Sequence, residues 1–184
     1  MEEWIQFDSP TNEDLKAAYA NQELIVAAGN NGSVIFKQYS SENWIQIKMD
    51  NLIDVNAVSI NSNNEIFIVS DNGEIWCFKQ QNWIKIESLV SEDLNDIVFE
   101  GERGLISGSS GLILGSENNG ETWEIRETPE EVSNSNIISI GFYGINRGYA
   151  ITSDGQILKS TQETLTTTVG YYWYLKEIES ENMS

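Results

Sequence analysis

The sequence runs to 184 residues, 40% of them hydrophobic, with 29 acidic and 10 basic side chains and a net charge of −19. That balance excludes non-specific nucleic-acid binding and attraction to an anionic membrane surface, both of which need the opposite sign. Histidine is absent, which removes the commonest general base and metal ligand, and Cys77 stands alone, which excludes an internal disulfide. No apolar run approaches the roughly 18 residues of a membrane-spanning helix, and the acidic start lacks a signal-peptide pattern, so a cytoplasmic location is favoured. Cys77, within Ile75-Trp76-Cys77-Phe78, reads as a small buried apolar residue.

A Trp-led run opens the chain at Trp4-Ile5-Gln6-Phe7. It returns at Trp44-Ile45-Gln46-Ile47, Trp83-Ile84-Lys85-Ile86, Trp123-Glu124-Ile125 and Trp173-Tyr174-Leu175, at spacings of 40, 39, 40 and 50 residues. A glycine turn keeps step with it, at Asn30-Asn31-Gly32, Asp71-Asn72-Gly73, Ser109-Ser110-Gly111 and Ser153-Asp154-Gly155. Two features sharing one period mark a structural repeat. Each unit reads as four short strands. The first unit predicts strands over 15–19, 23–28, 33–38 and 43–48, and the second over 56–60, 65–69, 74–79 and 82–87. The third predicts 95–99, 104–107, 112–116 and 122–126, and the fourth 137–141, 148–152, 156–160 and 171–176. No window carries a 3.6-residue period, so helix is expected to be nearly absent.

Four antiparallel strands per 40 residues is the pattern of a β-propeller blade. The expected fold is a single all-β propeller domain over 1–184, with four clear blades at about 8–48, 49–87, 88–127 and 128–178. The Trp heading each fourth strand is expected to fill the gap between adjacent blades. Closure has two solutions. The N-terminal strand clips onto the last blade of a four-bladed ring, or a rudimentary fifth blade forms from both termini. The insertion from Gln162 to Tyr172 contains Thr164-Leu165-Thr166-Thr167-Thr168-Val169, which could itself be a strand.

Ser116-Glu117-Asn118-Asn119-Gly120-Glu121-Thr122-Trp123 resembles the Asp-box of sialidase-type BNR repeats, with Asn118 where that family has Asp. The unit from Gly148 to Thr161, and Ala28 to Lys37 with it, resembles repeats of the photosystem II assembly and stability factor propellers. The resemblance implies a propeller that works by binding protein partners. In Asp-box families this turn stabilises a hairpin away from catalytic centres, so it implies no sialidase activity.

The residues also point away from catalysis. Only Arg103, Arg126 and Arg147 are available for an arginine triad, and their repeat positions do not predict convergence on a channel mouth. No His/Cys set could hold zinc, and Asp71-Asn72-Gly73 and Asp154-Gly155 lack the flanking ligands of a calcium loop. The expectation is a non-enzyme without cofactor or metal.

In a propeller the fourth-to-first-strand connectors and the second-to-third-strand turns share one side. On that side the sequence places Asp50, Asp54, Asp71, Glu92, Asp93, Asp96, Glu130, Glu131 and Asp154, with no Lys or Arg in the same loops. These nine are the expected partner-binding residues, facing a protein partner with a basic surface. Lys16, Asn56, Asn95 and Asn136 align near the start of each first strand, at the expected channel entrance, as a ligand ring or as caps of strand ends. A monomer is favoured, without nucleic acid and without membrane insertion. The rival readings are a lectin-like propeller stacking sugars on rings such as Tyr171 and Tyr172, and a structural or virion component.

Overall fold

Each predicted turn reverses the chain through residues in the left-handed region: Asn31 and Gly32, Asn72 and Gly73, Ser110 and Gly111, and Gly155. Between these turns the alternation of apolar and polar residues leaves only strands. The computed structural model describes residues 4–49, 53–143, 147–165 and 168–175, and among these there are sixteen β-strands, two single 3-10 turns and no α-helix.

Blade 1 contains β1 (Leu15–Ala20), β2 (Leu24–Gly29), β3 (Ser33–Gln38) and β4 (Ile45–Lys48). Blade 2 contains β5 (Val55–Ile60), β6 (Ile66–Ser70), β7 (Ile75–Lys79) and β8 (Asn82–Ile86). In blade 3 these are β9 (Leu94–Glu100), β10 (Arg103–Gly108), β11 (Ile113–Ser116) and β12 (Glu124–Ile125), and in blade 4 β13 (Ile137–Phe142), β14 (Gly148–Thr152), β15 (Ile157–Leu165) and β16 (Thr168–Leu175). Every blade is a four-stranded antiparallel sheet in sequence order. β12 is shorter than expected because Thr122 and Trp123 belong to the preceding turn. There the Thr122 amide donates to Asn118 Oδ1 and the Trp123 indole donates to the Gly120 carbonyl. The described residues of the insertion extend β15 and β16, in which Leu158 pairs with Leu175 and Leu165 with Thr168.

The core lies between blades. Val26, Val34, Val55, Ile66 and Ile68 pack blade 1 on blade 2; Phe67, Ile75, Leu94, Ile106 and Trp123 pack blade 2 on blade 3. Leu105, Ile113, Ile137, Leu158 and Trp173 pack blade 3 on blade 4. Along each strand, alternate residues therefore face the preceding and the following blade. Trp123 and Trp173 are buried in these seams as expected, each indole lying against a glycine of the second strand, Gly104 and Gly148. Trp83 is half-buried, with its ring 5.2 Å from that of Phe78. In blade 1 Lys37 stands where blade 2 has Phe78. Its ammonium lies 5.9 Å from the Trp44 ring, a cation–π contact in place of an aromatic pair.

The N-terminal segment departs from expectation. Residues 4–14 form no strand, none of them pairs with blade 4, and Trp4 is fully exposed. The segment instead lies along the side of blade 1 that faces away from blade 2. There the Phe7 ring is 4.6 Å from Lys37 Nζ and Ser33 Oγ donates to Thr11 Oγ1 at 3.0 Å. The physical reason is proximity: Phe7 is tethered close to β1, and the nearest uncovered surface is that of its own blade. β1 lies against β5, β5 against β9 and β9 against β13, but no contact of comparable extent joins β13 to β1. The described residues thus form a propeller-like row of four blades in which no sheet closes the ring.

Candidate functional site: the acidic connector side

The connectors and the second-to-third-strand turns meet through the backbone. Within a blade, Asn30 N donates to Asp14 O, Ser109 N to Asp93 O and Ser153 N to Asn136 O. Between blades, Gly32 N donates to Ile53 O and Gly111 N to Ser135 O. The acidic side chains sit on this scaffold, and several are engaged in it.

Asp54 accepts the amide of Asn31, in the turn of the preceding blade, at 3.1 Å, and Asp93 accepts the amide of Asn72 at 3.0 Å in the same way. Each carboxylate therefore ties its blade to the one before. The Asn31 amide holds the Asp54 carboxyl below its ordinary value against the opposing effect of burial, with lesser help from Lys16. Asp96 joins two first strands, accepting from Ser139 Oγ and Ile140 N through one oxygen, both at 2.9 Å. Asp71 accepts from Asn56 Nδ2, and Asp154 accepts from the hydroxyls of Thr152 and Ser135, which hold its carboxyl below the ordinary range. Glu92 bonds the neighbouring Ser91 amide. Glu130 and Glu131 lie on a 3-10 turn, exposed and without a side-chain hydrogen bond among the described residues. Asp50 falls outside the described residues.

Three of the four polar residues expected at the channel entrance act as ties as well. Asn56 Nδ2 donates to Leu94 O and Asn95 Nδ2 to Ile137 O, in each case reaching the first strand of the next blade. Lys16 Nζ reaches Asp54 Oδ2 at 3.5 Å. Asn136 does not align with them as expected. Ile137 pairs as Leu15, Val55 and Leu94 do, so Ile138 holds the position of Lys16, Asn56 and Asn95. Asn136 lies two residues earlier than that, exposed and without such a bond among the described residues. The strand-capping alternative is thus what the geometry of Asn56 and Asn95 realises. Sequence reasoning missed the latch role of Asp54 and Asp93, although their 39-residue spacing, in step with the repeat, was a usable signal.

Replacing Asp54 with alanine should lower the melting temperature at pH 7. Because the folded-state carboxyl is held below its ordinary 3.8, the latch is complete above that value and its contribution is lost as the pH falls below it. The gap between wild type and Asp54→Ala in melting scans should therefore close below about pH 4. A gap independent of pH would contradict the latch.

Elsewhere, Arg103 and Arg126 meet at Glu117. Nε of the first lies 3.1 Å from one carboxylate oxygen and Nη2 of the second 3.0 Å from the other. The pair sits between blades 3 and 4 beside Phe142, and Arg147 is on an exposed loop. No group of three or more metal-ligating side chains occurs among the described residues, and no helix among them is long and apolar enough to cross a membrane. Tyr171 and Tyr172 lie on β16, where side chains fall outside the description.

Comparison with known proteins now bears on this architecture. The family model of the photosynthesis system II assembly factor YCF48 matches residues 63–161, more than half of the chain. The chain belongs to the YCF48 family. Among solved structures, YCF48 bound to D1 peptide is 15% identical with a TM-score of 0.69, covering 84% of this chain and 53% of that one. YCF48 from Cyanidioschyzon merolae is 16% identical with a TM-score of 0.63, covering 79% of this chain and 50% of that one. The computationally designed Ika4 protein is 11% identical with a TM-score of 0.66, covering 85% of this chain and 96% of its own. At these identities the likeness is one of fold. The chain spans about half the length of the two YCF48 structures. No curated protein matches the sequence.

Proposed function

We propose that this member of the YCF48 family is a non-enzymatic docking module that binds a protein partner through the acidic connector side, and that the partner presents a basic surface. The observation that carries the reading is the likeness to YCF48 bound to D1 peptide, a propeller that holds a peptide. Family membership, through the repeats of blades 2 to 4, supports the same role. Charge supports the choice of side. Where Asp54, Asp93 and Asp96 serve the scaffold, Glu87, Glu130 and Glu131 are exposed on the connectors without side-chain hydrogen bonds among the described residues, and their field is available to a cation.

This division decides how the proposal is tested. Reversing Asp93 or Asp96 would break ties between blades and confound binding with stability. Glu87→Lys, Glu130→Lys and Glu131→Lys together change charge without removing a described hydrogen bond, and Glu100→Lys, Glu102→Lys and Glu121→Lys form the matching set among exposed loops of the opposite side. Binding of D1 peptide and of an oligolysine peptide is measured at low and high salt. The connector set should weaken capture about tenfold at low salt, chiefly through the association rate, and the opposite set much less. Equal effects of the two sets, or binding indifferent to salt, would refute the acidic connector side as the docking surface.

A further inference from the structure

The connector from blade 2 to blade 3 turns one large apolar side chain out into solvent. Leu89 is 75% exposed, more than any other large apolar residue described outside the N-terminal segment. A lone exposed leucine is ordinary on a protein surface, but its backbone here is not. Its φ is 61°, in the left-handed region, where the Cβ of an L-residue crowds the following carbonyl. Eight non-glycine residues among those described have positive φ, and the other seven are Asn, Gln or Ser. Leu89 thus bears both strain and exposure, and at that exposure it gains little packing in return.

Packing on either side of it forces the arrangement. Ser88 is buried, and Val90 is half-buried against the seam between blades 2 and 3. The connector lies directly on the turn of its own blade. A Cβ at Gly73 would come within 2.2 Å of the Val90 carbonyl oxygen and 3.1 Å of Ser88 Oγ. With both neighbours turned inward, Leu89 is held outward, on a groove of about 600 Å³ that Ile86 and Val90 also line. Two charged side chains line the groove. Lys85 is matched by Glu74, 2.7 Å away, whereas Glu87 is exposed and without a hydrogen bond among the described residues. Asp93 adds a second negative charge, its carboxylate accepting the amide of Asn72, which also lines the groove. The charge left uncompensated around this apolar surface is therefore negative.

We propose that Leu89 and this groove are the apolar anchor of the connector-side interface, taking a branched aliphatic side chain of the partner that lysine or arginine flanks. The assignment rests on the connector side being the docking surface, and it adds to the charge a contact that salt does not screen. Glu87 and Asp93 draw the cations, which speeds the encounter. Burial of Leu89 against an apolar side chain then holds the complex once it has formed. Charge complementarity selects this occupant. An uncharged apolar segment would strip water from Glu87 without supplying a partner, and an acidic segment would be repelled.

The test compares two peptides of equal charge, Lys-Lys-Leu-Lys-Lys and Lys-Lys-Ser-Lys-Lys, at about 0.15 M and 1 M salt. Each is titrated onto the full chain and onto its Leu89→Asn variant. Asparagine adopts the left-handed backbone at less strain, so this variant should melt at the wild-type temperature or slightly above it. At the higher salt the leucine peptide should bind wild type about tenfold more tightly than the serine peptide, as burial of one leucine allows. Leu89→Asn should abolish that preference. Glu87→Lys, Glu130→Lys and Glu131→Lys together should instead weaken both peptides at the lower salt. No preference for leucine in wild type, or one that survives in Leu89→Asn, would overturn the anchor. If the glutamate set still weakened both peptides, the acidic connector side would stand without it. Peptides bound equally by wild type and the glutamate set would remove the docking surface and the anchor together. A lowered melting temperature in Leu89→Asn would mean that the leucine serves the fold, and would overturn the anchor as well.

Discussion

Trp123→Ala is expected to lower stability by about 3–5 kcal/mol. The indole is 3% exposed in the seam between blades 2 and 3, edge-on to Phe99 at 5.9 Å, while Phe99 packs on Phe67 at 4.9 Å. It also lies against Gly104, where even a Cβ would come within 2.6 Å of the ring. Truncation therefore opens a cavity walled by backbone and aromatic rings, which cannot collapse cheaply. It also leaves the Gly120 carbonyl without its indole donor. Trp44→Ala offers the contrast. That ring is half-buried and its described ring contact is with the Lys37 ammonium, so about 1 kcal/mol is expected. Denaturant unfolding of both variants checks the pair, and equal losses would mean that the seam does not depend on Trp123.

The second large effect is expected at Gly29. A Cβ there would lie 1.9 Å from the carbonyl oxygen of Asp14, the same oxygen that accepts the Asn30 amide at 2.9 Å. The φ of −173° is extended and open to any residue, so the cost is steric. Both atoms are backbone, and relieving the clash pulls the start of β1 off β2 and breaks the Asn30 bond. Gly29→Ala should cost about 3 kcal/mol, at the upper end for overpacking by one methyl group. Gly141→Ala is the control, since a Cβ there meets nothing within 4 Å; it should leave the melting temperature unchanged or slightly raised. Equal behaviour of the two variants would contradict the close approach of Asp14.

The second of these effects is invisible in the repeat. Gly29, Ser70, Gly108 and Thr152 occupy one position, each paired with the first residue of its blade's first strand. Two of the four carry a Cβ without harm. Only the path of each connector decides whether a side chain fits, and the connectors differ in length and composition. The acidic connectors show the same limit. Their composition announced a negative surface, but Asp54 and Asp93 look in sequence like Glu130 and Glu131. Whether a carboxylate meets a neighbouring turn amide or water depends on how closely successive blades stack. Arg103 opens β10 and Arg126 follows β12, and the pairing of β10, β11 and β12 in one sheet brings both to Glu117.

By itself the sequence determined the strands, the turns and the seams. These follow from interactions within one 40-residue unit, where alternation sets the two faces of a strand, glycine permits the turn and tryptophan fills a space that repeats with it. The tertiary structure alone decided how the N-terminal segment lies and that the described blades do not close a ring. The Trp4 run matches the Trp-led strands in pattern, yet it lies as an exposed segment along blade 1 and pairs with none of the described strands. Leu15 on blade 1 and Ile151 on blade 4 are exposed where their counterparts in the other blades are buried. Whether the first and last described blades meet depends on the angle accumulated over successive seams, and that angle is a property of the stacked blades, absent from any one repeat.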